Sequence, residues 1–212
     1  MKKILLTSTL IISMFLSFAA EKDYVKKMEQ NLKELNSAKS AADYLSLAES
    51  FEMIADEKPG EWLPLYYVSF AYANYVFTEG AKLDLDMILD KADAYLKKAR
   101  EISPKNSEIE VLQGWIYQGR IQVDPMGRGM TYSQKAAESF GKAKNLNPEN
   151  PRIYFLLGLN VRYTPEQFGG GKKAACPYFH EAEGKYKSIK PETSISPNWG
   201  KEYNRKQAID CK

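Results

Sequence analysis

An all-α fold of repeated helix pairs is what this sequence predicts, on three observations. Four prolines, Pro59, Pro104, Pro148 and Pro191, close similar segments at separations of 45, 44 and 43 residues. Before each proline, apolar residues recur at three- and four-residue spacing, the pattern of one buried helix face. After each of the first three, a second such run begins, rich in aromatics. Proline lacks the N–H a helix needs and its ring blocks the preceding turn, so each one punctuates a pair. Helix, loop, helix, proline turn is the repeating unit.

The elements follow in order. Lys2 and Lys3 precede an apolar stretch from Ile4 to Phe18, and Ser17-Phe18-Ala19 offers small residues at the −3 and −1 positions. Residues 1–19 are therefore expected to be a signal peptide cut after Ala19, with the mature chain periplasmic or secreted. The stretch is shorter than the roughly 20 residues that span a bilayer, which argues against a retained anchor. No cysteine stands near the cut to carry a lipid, and no later segment is apolar enough to span. Residues 20–191 should then hold the repeats, and residues 192–212 a last helix of the same domain.

Within the repeats, the second helix of each pair carries a fixed pattern: small, large, small, then proline. Ala92-Leu96-Ala99-Pro104 and Ala136-Phe140-Ala143-Pro148 fit throughout. Ala175-Phe179-Ala182 fits too, but Pro191 arrives four residues late, so that helix should run a turn longer. Leu47-Phe51-Ile54-Pro59 is a degenerate first copy. The first helices pair a small residue with a large one three later: Ser69 with Tyr72, Gly114 with Tyr117, Gly158 with Val161. These patterns resemble the tetratricopeptide (TPR) family over nearly the whole mature chain. The resemblance implies a right-handed solenoid of helical hairpins, here about four, with a C-terminal capping helix. Small residues let neighbouring helices approach and large ones fill the space between layers. The period departs from the family's 34 residues by about ten. The excess falls in inserts between the two helices of a pair: Thr78 to Leu85, Gly119 to Thr131 and Tyr163 to Gly171. The segment from Pro197 to Cys211 reads as the cap that covers the last repeat's apolar face.

Composition excludes some functions. Lys plus Arg is 30 against 27 Asp plus Glu, and without Lys2 and Lys3 it is 28 against 27. A net charge near +1 with no block of like charge gives no phosphate-binding patch, so nucleic acid is not an expected partner. One histidine, His180, precludes a two-histidine zinc site and leaves no Ser-His-Asp triad to assemble. Neither a cofactor nor a metal is implied, and no nucleophile or acid–base set points to an enzyme. Cys176 and Cys211 are the two cysteines. In an exported chain an even count predicts one disulfide, the alternative being two separate buried thiols. Cys176 begins the second helix of the fourth pair and Cys211 ends the antiparallel cap, so the two should meet. The bridge would close a loop of about 35 residues, worth on the order of 3–4 kcal/mol in the chain-entropy model.

Three stretches draw attention and have plain readings. Phe168-Gly169-Gly170-Gly171-Lys172-Lys173 lacks the Gly-Lys-Ser/Thr of a phosphate loop and reads as a left-handed turn into a helix. Asp84, Asp86, Asp90 and Asp93 have apolar residues where a calcium loop needs oxygen ligands, and read as a cap and acidic first turn. Val123 to Gly129 is turn-rich, with Arg128 free to pair within the fold or with a partner.

TPR arrays usually bind through the concave face of their first helices. The resemblance places Tyr66, Phe70 and Asn74 there from the second pair, Val111, Trp115 and Gln118 from the third, and Arg152, Phe155, Arg162 and Tyr163 from the fourth. Aromatics, arginines and amides of this kind suit a peptide or protein partner bearing a carboxylate. The expected function is an exported interaction scaffold. The alternative is an accessory protein that takes a small or apolar ligand for transport. The edge from which the three inserts emerge competes with the groove as the binding surface.

Overall fold

The computed structural model describes residues 21–211, so the expected signal peptide lies outside the described residues. These form helices packed as consecutive hairpins: α1 over residues 21–37, α2 (Ala41–Glu57), α3 (Trp62–Tyr75), α4 (Leu85–Ile102), α5 (Ser107–Val123), α6 (Pro125–Leu146), α7 (Pro151–Tyr163), α8 (Lys172–Ser188) and α9 (Lys201–Ile209). Each proline sits two or three residues past the end of an even-numbered helix, as the punctuation predicts. The odd-numbered helices α3, α5 and α7 touch side by side, and each even helix packs behind its partner.

Side-chain caps start most of the helices. Ser40 and Asp43 form a reciprocal capping box at α2. Asp84, Asn106, Asp124 and Asn150 each accept a backbone N–H at the start of α4, α5, α6 and α7. Pro125 and Pro151 occupy first-turn positions, where their missing N–H costs nothing. Before α8, Gly169 and Gly171 take φ of 81° and 97°, the left-handed turn the glycine run anticipates. Beyond Ala182, α8 continues to Ser188, whereas α4 and α6 stop three residues after Ala99 and Ala143. That is the extra turn inferred from the late Pro191.

The small residues make the contacts the repeat pattern calls for. A Cβ at Gly114 of α5 would overlap the Phe140 ring of α6, and one at Gly158 of α7 would overlap Phe179 of α8. Both phenylalanines are fully buried. Ser69 of α3 is buried at the equivalent place. Most of α3 is buried, because it is enclosed by α2, α4, α5 and the chain's C-terminal part.

Two regions differ from the sequence reading. The expected insert from Gly119 to Thr131 is helical: α5 runs to Val123, α6 starts at Pro125, and Asp124 alone joins them. Arg120 explains the extension. Its guanidinium reaches Asp86 at 2.9 Å, Asp90 at 2.5 Å and Asp93 at 2.9 Å, so α5 must continue far enough to place it. Arg128 joins the same cluster through Asp86 at 2.7 Å, which answers its open pairing within the fold. Burial alone would lower the Arg120 pKa, but the three aspartates more than offset that and raise it. Asp86 in turn is held below the usual carboxylate range, by Arg128 first and Arg120 second. The second difference is the cap, which becomes helical only at Lys201 rather than Pro197. Gly200 takes φ of 96°, a sharp left-handed turn before the helix, and residues 189–200 run as a non-helical segment across other helices.

The glycine contacts predict opposite outcomes for two substitutions. Gly114→Ala should destabilise by about 1–3 kcal/mol, because Phe140 is core and cannot withdraw. Gly141→Ala, on the exposed side of α6 with open space around it, should stabilise by about 0.5–1 kcal/mol. Chemical denaturation of both variants checks the pair; equal and opposite signs to these would refute the packing account.

Candidate functional site: the face of the odd-numbered helices

The face built from α3, α5 and α7 is where the sequence places a binding groove, and the chain itself fills half of it. Trp199, from the segment between α8 and α9, donates its indole N–H to the Tyr66 hydroxyl at 2.8 Å. Its ring lies 4.9 Å from Phe70, with the Arg152 guanidinium 5.6 Å from its centre. Tyr67 donates its hydroxyl to the Ile195 carbonyl at 3.2 Å, and Tyr186 donates to the Trp199 carbonyl at 3.2 Å. Ile195 and Pro197 are buried, and Gly200 packs over Phe155. Tyr66, Phe70, Arg152 and Phe155 therefore lie beneath this strap and are buried. The cover comes from the C-terminal segment, not from inserts or N-terminal helices. Pro191 and Pro197 within this stretch, and Gly200 at its end, are the sequence signals that it is not a helix.

Beneath the strap lies a buried ion pair. The guanidinium of Arg152 makes two bonds to the Glu108 carboxylate, one of them at 2.7 Å from Nε. Asn150 donates to Glu108 at 2.8 Å and to the Ser107 hydroxyl at 3.1 Å, and its own oxygen accepts the Arg152 backbone N–H. Burial alone would lower the Arg152 pKa; Glu108 outweighs it and the net shift is upward. Burial pushes the Tyr66 phenol up as well. The first turns of α5 and α7 are thus locked together by a network that also supports Trp199.

The other named groove residues divide again. Asn74 donates to the Phe70 carbonyl of its own helix at 2.7 Å, and Gln118 is buried, donating to the Leu156 carbonyl at 3.0 Å to pin α5 to α7. Val111 is wholly buried. Trp115 stays partly exposed, its ring stacked on Phe77 at 4.1 Å and 22°. Arg162 pairs with Asp210 at 3.1 Å, and Tyr163 is 76% exposed. Sequence reasoning missed Phe77, which follows the last turn of α3 and is still on that helix's register.

The unpaired polar groups are concentrated on this side of the molecule. Among the described residues, every buried side-chain polar atom without a partner sits on an odd-numbered helix. Those on α5, α7 and α9 are the Trp115 indole N–H, the Gln118 and Gln207 oxygens, one Arg162 nitrogen, and the Asn160 and Asn204 oxygens. A buried polar group left without a partner costs about 1–3 kcal/mol, so these groups mark where the packing of the face is least satisfied. In and next to the segments read as inserts, Leu83, Met87, Met126, Met130 and Phe168 are exposed. The Arg128–Asp86 bond ties the start of α6 to the start of α4, and the Asn160 amide donates to the Ser133 carbonyl at 3.1 Å, tying α6 to α7.

The Cys176–Cys211 disulfide is present and joins the first turn of α8 to the end of α9. His180 is exposed on α8, and no cluster of metal-ligating side chains occurs among the described residues.

No protein-family model matches the chain, and no curated protein does. Among solved structures, the HusA haemophore from Porphyromonas gingivalis is similar over 89% of this chain and 92% of its own, with 30% identity and a TM-score of 0.81. A MamA RS-1 ArsTM double mutant is 17% identical over 78% of this chain, with a TM-score of 0.47.

The ion pair carries its own test. Glu108→Ala leaves the Arg152 charge buried without a carboxylate and should destabilise by about 3–5 kcal/mol. Loss of less than about 1 kcal/mol in denaturation, the range of an exposed pair, would show that the network is not buried as described.

Proposed function

We propose that this chain, which belongs to the family of the HusA haemophore, is an exported binding protein that captures haem on the open end of its odd-helix face. The observation that carries this reading is Trp115. Its indole is partly exposed, lies nearly parallel to Phe77, and holds a buried N–H with no acceptor. A porphyrin is a flat apolar ring with carboxylate arms, and that chemistry matches both features. The Phe77–Trp115 pair offers a planar apolar wall for the ring. The indole N–H and the unpaired Arg162 nitrogen, both covered by neighbouring atoms, become donors for the carboxylates only where the ligand displaces that cover. Tyr163, exposed at the end of α7, is the oxygen ligand we assign to the iron. The exposed methionines add soft, adaptable apolar surface.

This reading favours the transport accessory over the peptide scaffold. A scaffold groove would need Tyr66, Phe70, Arg152 and Phe155 open to a partner, and the chain's own strap covers them. The disulfide supports an oxidising compartment for the mature protein, as a haem-capturing protein outside the cell requires.

Absorbance titration of the disulfide-intact protein with haem tests the proposal. We expect a saturable change of the Soret band at one haem per chain. Trp115→Ala should weaken binding by about tenfold or more, roughly 1.4 kcal/mol, while the protein stays folded. Tyr163→Phe should shift the haem spectrum, since it removes the proposed oxygen ligand and keeps the ring. A linear, unsaturable response in the parent protein would end the haem reading.

A further inference from the structure

The strap is attached to the rest of the molecule in an unusual way. Residues 189–200 form no helix, and their internal backbone bonding is confined to a short turn at Thr193–Ser196. Side-chain hydrogen bonds and the Trp199 ring contacts hold the strap to α3, α7 and α8. On its far side stands α9, nine residues long and burying only Asn204 and Ala208. A helix that short does not hold itself in water. Its distal end is fixed by the Cys176–Cys211 bond and by the exposed Arg162–Asp210 pair. Strap and α9 together make up most of the 35-residue loop that the disulfide closes.

We infer that residues 189–200 are a strap held shut over the α3–α5–α7 face by the Cys176–Cys211 disulfide, and that breaking the bond uncovers a second half of the ligand seat. The physical basis is local. Ile195, Pro197 and Trp199 are the side chains whose burial resists lifting of the strap, and with the short α9 they form the part of the fold with the fewest core contacts. With the disulfide intact, lifting is opposed by a closed loop whose two ends are anchored on α8. With the bond broken, α9 frays from its free end and the constraint on Trp199 is lost. The surface exposed by that release is chemically defined. Tyr66, Phe70 and Phe155 line it, with the Arg152 guanidinium, paired to Glu108, 5.6 Å from the centre of the Trp199 ring. Trp199 occupies it as a flat aromatic whose N–H meets a phenol oxygen, and a porphyrin edge would meet the same aromatics. This extension of the seat rests on the haem-binding reading; release of the strap does not.

Two readouts separate these parts. In a Trp62→Phe/Trp115→Phe protein, Trp199 is the sole tryptophan, and its acrylamide quenching is compared with and without Cys176→Ala/Cys211→Ala. We expect quenching to rise severalfold and emission to move to the red when the cysteines are removed, with helical circular dichroism nearly unchanged. Quenching that stays the same overturns the strap. Haem titration is then run on the otherwise unaltered chain with the disulfide intact, with Cys176→Ala/Cys211→Ala, and with Trp199→Ala in the disulfide-bonded form. Severalfold tighter binding in both variants is the expected result. Equal or weaker binding in a folded Trp199→Ala protein overturns the extended seat even if the strap lifts. Should none of the three bind haem, the haem reading falls, and the strap stands or falls on the quenching result.

Discussion

Arg152 and Glu108 meet where the first turns of α5 and α7 come side by side, and much of the odd-helix face is built upon that pair. Both side chains are withdrawn from water, so each depends on the other and on Asn150 for its bonds. The cost of separating such a pair is large, and this fixes the spacing of two helices that otherwise touch only along their length. Trp199 lies over the guanidinium, and through it the C-terminal segment takes its path across α3. A residue that a repeat-family analogy assigns to partner binding thus serves to organise the face on which binding is proposed.

The two sides of the hairpins are specialised. Even-numbered helices present phenylalanines to small residues of their odd-numbered partners and close the core, as Phe140 on Gly114 and Phe179 on Gly158 illustrate. Odd-numbered helices carry the aromatics, the amides and every unpartnered buried polar atom among the described residues. One half of their surface is satisfied by the chain's own tryptophan. The other half, around Trp115, Arg162 and Tyr163, keeps exposed rings and unspent donors. An asymmetric face of this kind fits a compact amphipathic ligand better than an extended peptide, which would need the whole length.

How much of this could be read from the sequence depends on the range of the interactions. Helix pairing, the small-residue contacts, the longer α8 and the Cys176–Cys211 bond follow from local periodicity and antiparallel order, and the structure contains them. The helical form of residues 119–131 was hidden because its cause is remote: Arg120 answers three aspartates on another helix. The glycines and the proline there look like a loop until that pairing is known. The strap was hidden for the same reason, since Trp199 finds Tyr66 across 133 positions. Of the ten named groove residues, burial by long-range contacts decides the fate of most, and no periodicity within one helix announces it. Trp115 keeps its partial exposure, stacked on Phe77 just past the end of α3.

The central claim is that the open end of the odd-helix face, at Trp115, receives the ligand. The most direct measurement is a nitrogen–proton correlation spectrum of the indole N–H groups during titration with a diamagnetic metalloporphyrin. Trp62, Trp115 and Trp199 give three separate signals that report three parts of the molecule. The account predicts that the Trp115 indole signal moves furthest and saturates with the ligand, because its unpaired N–H gains an acceptor. Saturable binding that leaves the Trp115 signal in place would contradict it.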